Sequence, residues 1–132
     1  MVVARRPIPP ELNEITGKIV DGAYEVHSTL GPGLIESIYE ACLMYELTQR
    51  CLRFERQKTV PVQYKQVSLD NVFRIDLMVE DKIVVDLKAV EKLLPVHEAQ
   101  LLTYLKLVKS RLGLLINFNV PLIKDGIERV VL

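Results

Sequence analysis

Apolar residues recur at steps of three and four from Glu11 to Leu30, at Leu12, Ile15, Ile19, Ala23, Val26 and Leu30, and predict one amphipathic helix. Gly31-Pro32-Gly33 breaks the chain, after which Leu34, Ile38, Cys42 and Tyr45 restart the same spacing to about Arg50. From Leu52 to Lys65 the pattern loosens into alternation at Val60, Val62 and Tyr64, as in a strand, and Pro61 places that strand at a sheet edge or a bulge. Two apolar runs joined by a charged turn follow, from Phe73 to Val90, and read as a hairpin. Helical spacing returns over Leu93 to Gly113, entered near Pro95 and closed at Gly113. Leu114 to Val120 is almost wholly apolar, which suits an interior strand, and Gly126 to Leu132 reads as a last strand. The predicted order is helix, helix, three strands, helix, two strands. With no repeat and no linker, residues 1–132 read as one domain behind a flexible proline-rich lead over 1–10.

The hairpin carries residues that a plain hairpin does not need. Asp76 lies inside its first strand, and Asp86 and Lys88 inside its second, although both residue types are poor strand formers and unfavourable to bury. Alternation puts Phe73, Ile75, Leu77 and Val79 on one face and Arg74, Asp76 and Met78 on the other. In the second strand Val84, Asp86, Lys88 and Val90 oppose Ile83, Val85, Leu87 and Ala89. A loop centred on Asp81 keeps like faces together and sets Asp76 opposite Asp86. Like charges so paired repel, so a cation between them is expected; a divalent ion with oxygen ligands fits, and Lys88 on the same face is placed to orient water or offset charge on a phosphate. A register shifted by two is the plainer alternative, with Asp76 and Lys88 as a cross-strand ion pair.

Two further groups of residues join these. Glu36 and Tyr39 lie three apart on the second helix, where Glu36 would also complement the helix dipole. His97, Gln100 and Tyr104 form a polar stripe on the third helix beside Leu101, Leu105 and Val108. Such a stripe also suits a solvated face, but Gln and Tyr can both hydrogen-bond water, backbone or a nucleotide.

Composition narrows the class. Of 132 residues 49% are hydrophobic and 26% charged, the balance of an ordinary globular protein. With 17 basic and 17 acidic side chains the net charge is zero, which argues against tight nonspecific binding to nucleic acid. Basic residues do gather at Arg50, Arg53, Arg56 and Lys58 and at Lys106, Lys109 and Arg111, as a phosphate track or a solvated surface would both produce. Cys42 and Cys51 are too few for a disulfide framework, a thiolate zinc site or an iron–sulfur cluster, and read as buried free thiols. No segment approaches the roughly 20 apolar residues of a membrane span, and the N-terminal arginines have no apolar run behind them, so a cytoplasmic protein without membrane attachment is expected.

An aspartate in one strand, Asp-x-Lys in the next, a glutamate-bearing helix before them and Gln-x-x-x-Tyr on a helix after them resemble the PD-(D/E)XK nuclease superfamily. Within it the chain resembles the small GxxExxY family, whose motif stands here as Gly33, Glu36 and Tyr39, while Gln100 and Tyr104 are similar to a motif of the RecB-like branch. The similarity runs from about Glu11 to Val131. It implies an α/β, restriction-endonuclease-like αβββαβ core with a mixed central sheet flanked by helices. It further implies Mg²⁺ or Mn²⁺ held by Asp76 and Asp86 with Glu36 as a third acid, Lys88 as the catalytic lysine, and no iron–sulfur cluster. Tyr39, Arg74, His97, Gln100 and Tyr104 are then expected to support the site or contact nucleic acid, DNA rather than RNA, with a homodimer as one way to span a duplex. Asp86 stands where glutamate is more usual, a substitution that the pattern allows. The expected function is metal-dependent phosphodiester hydrolysis; the alternative is a noncatalytic nucleic-acid-binding or protein-interaction module on the same fold.

Overall fold

The computed structural model describes residues 6–132, apart from the side chains of Asn71 and Val72. Helices α1 (Pro10–Leu30) and α2 (Glu36–Gln49) lead into strands β1 (Phe54–Tyr64), β2 (Val67–Val79) and β3 (Ile83–Lys88). Helix α3 (Pro95–Val108) crosses to β4 (Leu112–Asn117), and a 3-10 turn (Ile123–Gly126) leads into β5 (Ile127–Val131). The strands form one five-stranded sheet in the order β1-β2-β3-β4-β5. All neighbours are antiparallel except β3 and β4, whose parallel pairing is what α3 connects. The mixed sheet flanked by helices has the restriction-endonuclease-like architecture expected from the sequence. Among the described residues no helix is long and apolar enough to cross a membrane.

Both faces of the sheet are covered. On one, Leu12, Ile19, Ala23 and Val26 of α1 and Tyr39, Leu43 and Leu47 of α2 pack on Leu77, Val79, Ile83, Val85, Leu87, Leu114 and Ile116. On the other, Leu101 and Leu105 of α3 pack on Ile75, Met78, Val84, Leu115 and Val130. Each such Leu or Ile contributes about 1.5–3 kcal/mol when fully buried. Between two covered faces β3 is buried along nearly its whole length, and only β4 beside it is more fully buried, so Asp86 sits in the dry middle of the sheet.

Several expectations are corrected here. The buried side of α2 is Tyr39, Glu40, Leu43 and Leu47, whereas Ile38 and Tyr45 are exposed: two apolar stripes interleave on this helix, and the one ending in a four-residue step fits the sheet. Leu77 and Val79 face α1 and α2, but Phe73 and Ile75 pack on the α3 side, so the four do not share a face. Alternation is interrupted at Asp76, beside which Gln57 of β1 adopts φ +49°. Helix α3 ends before Lys109, which takes the left-handed conformation. Gly113 instead lies in β4, where a side chain would meet Leu101 at 3.0 Å. Cys51 is exposed rather than buried, in a turn at φ +59°, and Cys42 is half-buried; both are free. Pro61 stands both at an edge, since β1 is the outermost strand, and at an irregularity, where the β1–β2 register shifts between Val60 and Val62. Of the lead over 1–10, residues 1–5 lie outside the described residues, and the Arg111 guanidinium donates to the carbonyls of Arg6 (2.6 Å) and Pro7 (3.0 Å).

The chain beyond Lys88 is tied to β4 by Asn117, whose side chain accepts from the Val90 N–H (3.1 Å) and donates to the Val90 carbonyl (2.9 Å). Behind this tie lies Gly126, where an added Cβ would stand 2.1 Å from the Asn117 carbonyl oxygen. Backbone cannot yield as a flexible side chain does, so Gly126→Ala is expected to destabilise the protein by about 2–4 kcal/mol, read by urea denaturation. A change below about 0.5 kcal/mol contradicts this account of the contact.

Candidate metal centre

The β2–β3 register pairs Leu77 with Val85, Met78 with Val84 and Val79 with Ile83, the register that runs towards Asp76 and Asp86, and the ladder ends one step short of them. The alternative register, with Asp76 facing Lys88, is thereby excluded. The reversal that produces it has Glu80 and Asp81 both at φ +54°. At Asp76 the ladder changes partners: its carboxylate Oδ2 accepts the Leu87 N–H at 2.8 Å, so a side chain does what a strand carbonyl does elsewhere. The two strands are joined there through a charge, and a cavity opens beside it.

This cavity, of about 110 Å³, is lined by Glu36, Arg74, Ile75, Asp76, Val84, Val85, Asp86, Lys88, Gln100 and Tyr104. Seven of the nine site residues expected from the sequence therefore meet at one place, drawn from α2, β2, β3 and α3. Its size holds a few waters or a hydrated ion and falls well short of the roughly 300–1,000 Å³ typical of organic-ligand pockets. Lys88 Nζ lies 3.3 Å from Asp86 Oδ1. Asp86 Oδ2, though fully buried, has no hydrogen-bond partner among the described residues.

The electrostatics follow from this crowding. Burial, opposed by Lys88 and reinforced by the Asp76 charge, pushes the Asp86 carboxyl up to about 6. Burial and then Asp76 also raise Glu36, against the pull of Lys88. Tyr104 is raised by burial and next by Asp86. Each shift favours the less negative form, and together they describe a site short of positive charge.

The remaining two expected residues serve other ends. Tyr39 is wholly buried, stacked on Phe118 at 4.6 Å, and its hydroxyl donates to the Gly31 carbonyl (2.6 Å) and accepts from the Leu34 N–H (3.1 Å). It holds the loop whose Gly33, at φ +97°, turns the chain into α2 and so delivers Glu36. His97 Nδ1 accepts from the Leu94 N–H (3.0 Å) at the start of α3, away from the cavity. Tyr104 stacks on Phe73 at 4.7 Å. The basic gathering at Arg50, Arg53, Arg56 and Lys58 is in ion pairs with Glu46, Glu80, Glu40 and Glu55.

Sequence reasoning missed Glu40 and Gln57. Glu40 is buried one helical turn beyond Glu36 and is gripped by Arg56 Nε (2.6 Å) and Gln57 Nε2 (2.8 Å). The same Gln57 nitrogen lies 3.2 Å from Asp76 Oδ1. The four-residue step from Glu36 to Glu40 was a visible signal; the reach of Gln57 was not, because it depends on how β1 lies against α2.

Residues 13–130 match a family model described as the PD-(D/E)XK nuclease superfamily. The chain belongs to this superfamily. No curated protein and no solved structure matches it. PD-(D/E)XK nucleases generally depend on a divalent metal, and their substrates are nucleic acids. The cavity fits such an ion: its donors are hard carboxylate oxygens, and Asp86 Oδ2 is a buried acceptor with nothing to accept. Among the described residues no group of three or more His, Cys, Asp and Glu side chains is arranged to hold a metal ion by itself.

A carboxyl with a higher pKa folded than unfolded opposes folding once ionised. For Asp86 this opposition is absent below its ordinary value near 3.8, where both forms are neutral, and complete above about 6. Asp86→Asn is therefore expected to stabilise the metal-free protein by about 1–3 kcal/mol near neutral pH, and to lose that gain below about pH 4. Denaturant titration at the two pH values checks it; destabilisation near neutral pH contradicts it.

Proposed function

We propose that this member of the PD-(D/E)XK superfamily is a metal-dependent nuclease of the GxxExxY family, in the RecB-like branch, that hydrolyses phosphodiester bonds. The observation that carries this reading is the meeting of Asp76, Asp86, Lys88 and Glu36 in one cavity with a buried carboxylate oxygen left bare. Asp76 and Asp86, with Glu36, would hold Mg²⁺ or Mn²⁺. When bound, the ion supplies positive charge against the charge that builds on phosphate during displacement.

The other roles belong to the chain itself. Lys88 is the catalytic lysine: beside Asp86 it orients the attacking water and gives a positive hydrogen-bond donor to the reacting phosphate. Arg74, Gln100 and Tyr104 line the same cavity with donors suited to phosphate oxygens or bases. Tyr39 and His97 support the site at a distance by fixing the entries to α2 and α3. DNA is the preferred substrate, a pair of chains a means of spanning a duplex, and the cytoplasm the place of action. The whole chain acts as one domain.

Asp86→Ala and Lys88→Ala are each expected to lower metal-dependent cleavage of labelled DNA by at least about a hundredfold while leaving the circular dichroism of the fold unchanged. Single- and double-stranded DNA and RNA in parallel identify the substrate. Cleavage by either variant at the wild-type rate contradicts the assignment, and salt-sensitive binding without any cleavage favours the noncatalytic alternative.

A further inference from the structure

Asp76 is held from both sides. Its Oδ2 accepts the Leu87 N–H at 2.8 Å, and its Oδ1 lies 3.2 Å from Gln57 Nε2. An amide nitrogen carries two hydrogens, and the second goes to Glu40 Oε2 at 2.8 Å. The other Glu40 oxygen, Oε1, is taken by Arg56 Nε at 2.6 Å. Reversing the Gln57 amide would set its oxygen against two carboxylates, so the chemistry of the cluster fixes its orientation. Glu40 is itself buried, with a side-chain exposure of 6%, and the Arg56 guanidinium reaches it from a position 58% exposed.

Gln57 attains this place through an uncommon backbone. Within a β-strand it stands at φ +49°, a region in which a residue other than glycine is unusual and which is sustained only when its surroundings hold it. The strand partners on either side, Arg56 with Leu77 and Lys58 with Ile75, keep their register, so the departure is local to the residue that bridges the two acids.

From this geometry we infer that Gln57 is a positioning residue for Asp76: anchored by Glu40 and Arg56, its amide clamps Asp76 on the Leu87 N–H and holds that carboxylate in the orientation a divalent ion needs. The inference rests on the reading of Asp76 as a metal ligand. It also gives Glu40 a definite part. Its Oε1 is held by Arg56 and its Oε2 by Gln57, so this fourth acid of the neighbourhood anchors the clamp. Partners that orient a ligating carboxylate are commonly worth ten- to a hundredfold in metal affinity.

The test uses the full chain and two substitutions. Gln57→Leu removes the amide at similar size; Gln57→Asn retains an amide, shortens its reach, and suits positive φ. Two quantities are read: Mn²⁺ affinity by electron paramagnetic resonance, and hydrogen exchange of the Leu87 amide in metal-free protein. In both variants Mn²⁺ affinity is expected to fall at least about tenfold, and Leu87 exchange to rise about tenfold on losing a firmly held charged acceptor. The other β3 amides and the melting temperature should stay near the wild type, which separates positioning from general loosening. Wild-type exchange at Leu87 in a folded variant overturns the clamp. Wild-type protein that binds no Mn²⁺ overturns the metal reading instead, and Leu87 exchange then decides the clamp by itself.

Discussion

The hydrogen bond from the Leu87 amide to Asp76 is the interaction on which the site depends. An ordinary strand pair at this point would close β2 on β3 and leave two facing aspartates in repulsion. With a side-chain oxygen as the acceptor, the backbones part, Asp76 is anchored, and the cavity between β2, β3, α2 and α3 has room to exist. The change of face along β2 belongs to the same event, since Leu77 and Ile75 pack on opposite sides of the sheet. Fold and site are thus decided together, within a few residues of one strand.

The site also sets local stability against function. Asp86 occupies an almost wholly buried strand, and its unpartnered oxygen and raised pKa mark it as destabilising in the absence of a cation. An apolar residue there would pack better. The two hydrophobic layers above and below the sheet offset this penalty, and Lys88 reduces it by neutralising the other oxygen. Strain at Gln57 has the same character: it is tolerated in the strand because it brings a donor to two acids.

Much of this was legible in the sequence, and the reasons are physical. The β2–β3 register follows from period-two alternation, because a slip by one residue would expose an apolar face; it aims Asp76 towards Asp86, although the ladder itself stops at Leu77 and Val85. Pro61 announced an edge because it cannot donate to a ladder. Gln100 and Tyr104 could be placed together by helical spacing, whereas His97, one turn earlier, turned back to the start of its helix. The core side of α2 was misread because Ile38 and Tyr45 compete with Tyr39, Leu43 and Leu47 in apolar character, and only the sheet below decides between them. Glu40 and Gln57 escaped notice for a related reason: their partnership is made across elements, by the lie of β1 against α2, which no local pattern encodes.

The central claim is that the acids gathered in this cavity exist to hold a divalent cation. Isothermal calorimetry of Mn²⁺ with the wild type and with Asp86→Ala, in the presence of an uncleavable phosphorothioate oligonucleotide to complete the ion's shell, tests it most directly. The account predicts saturable binding by the wild type that is lost in the variant. Equal binding by the two, or none by a folded wild type with the oligonucleotide present, would contradict it.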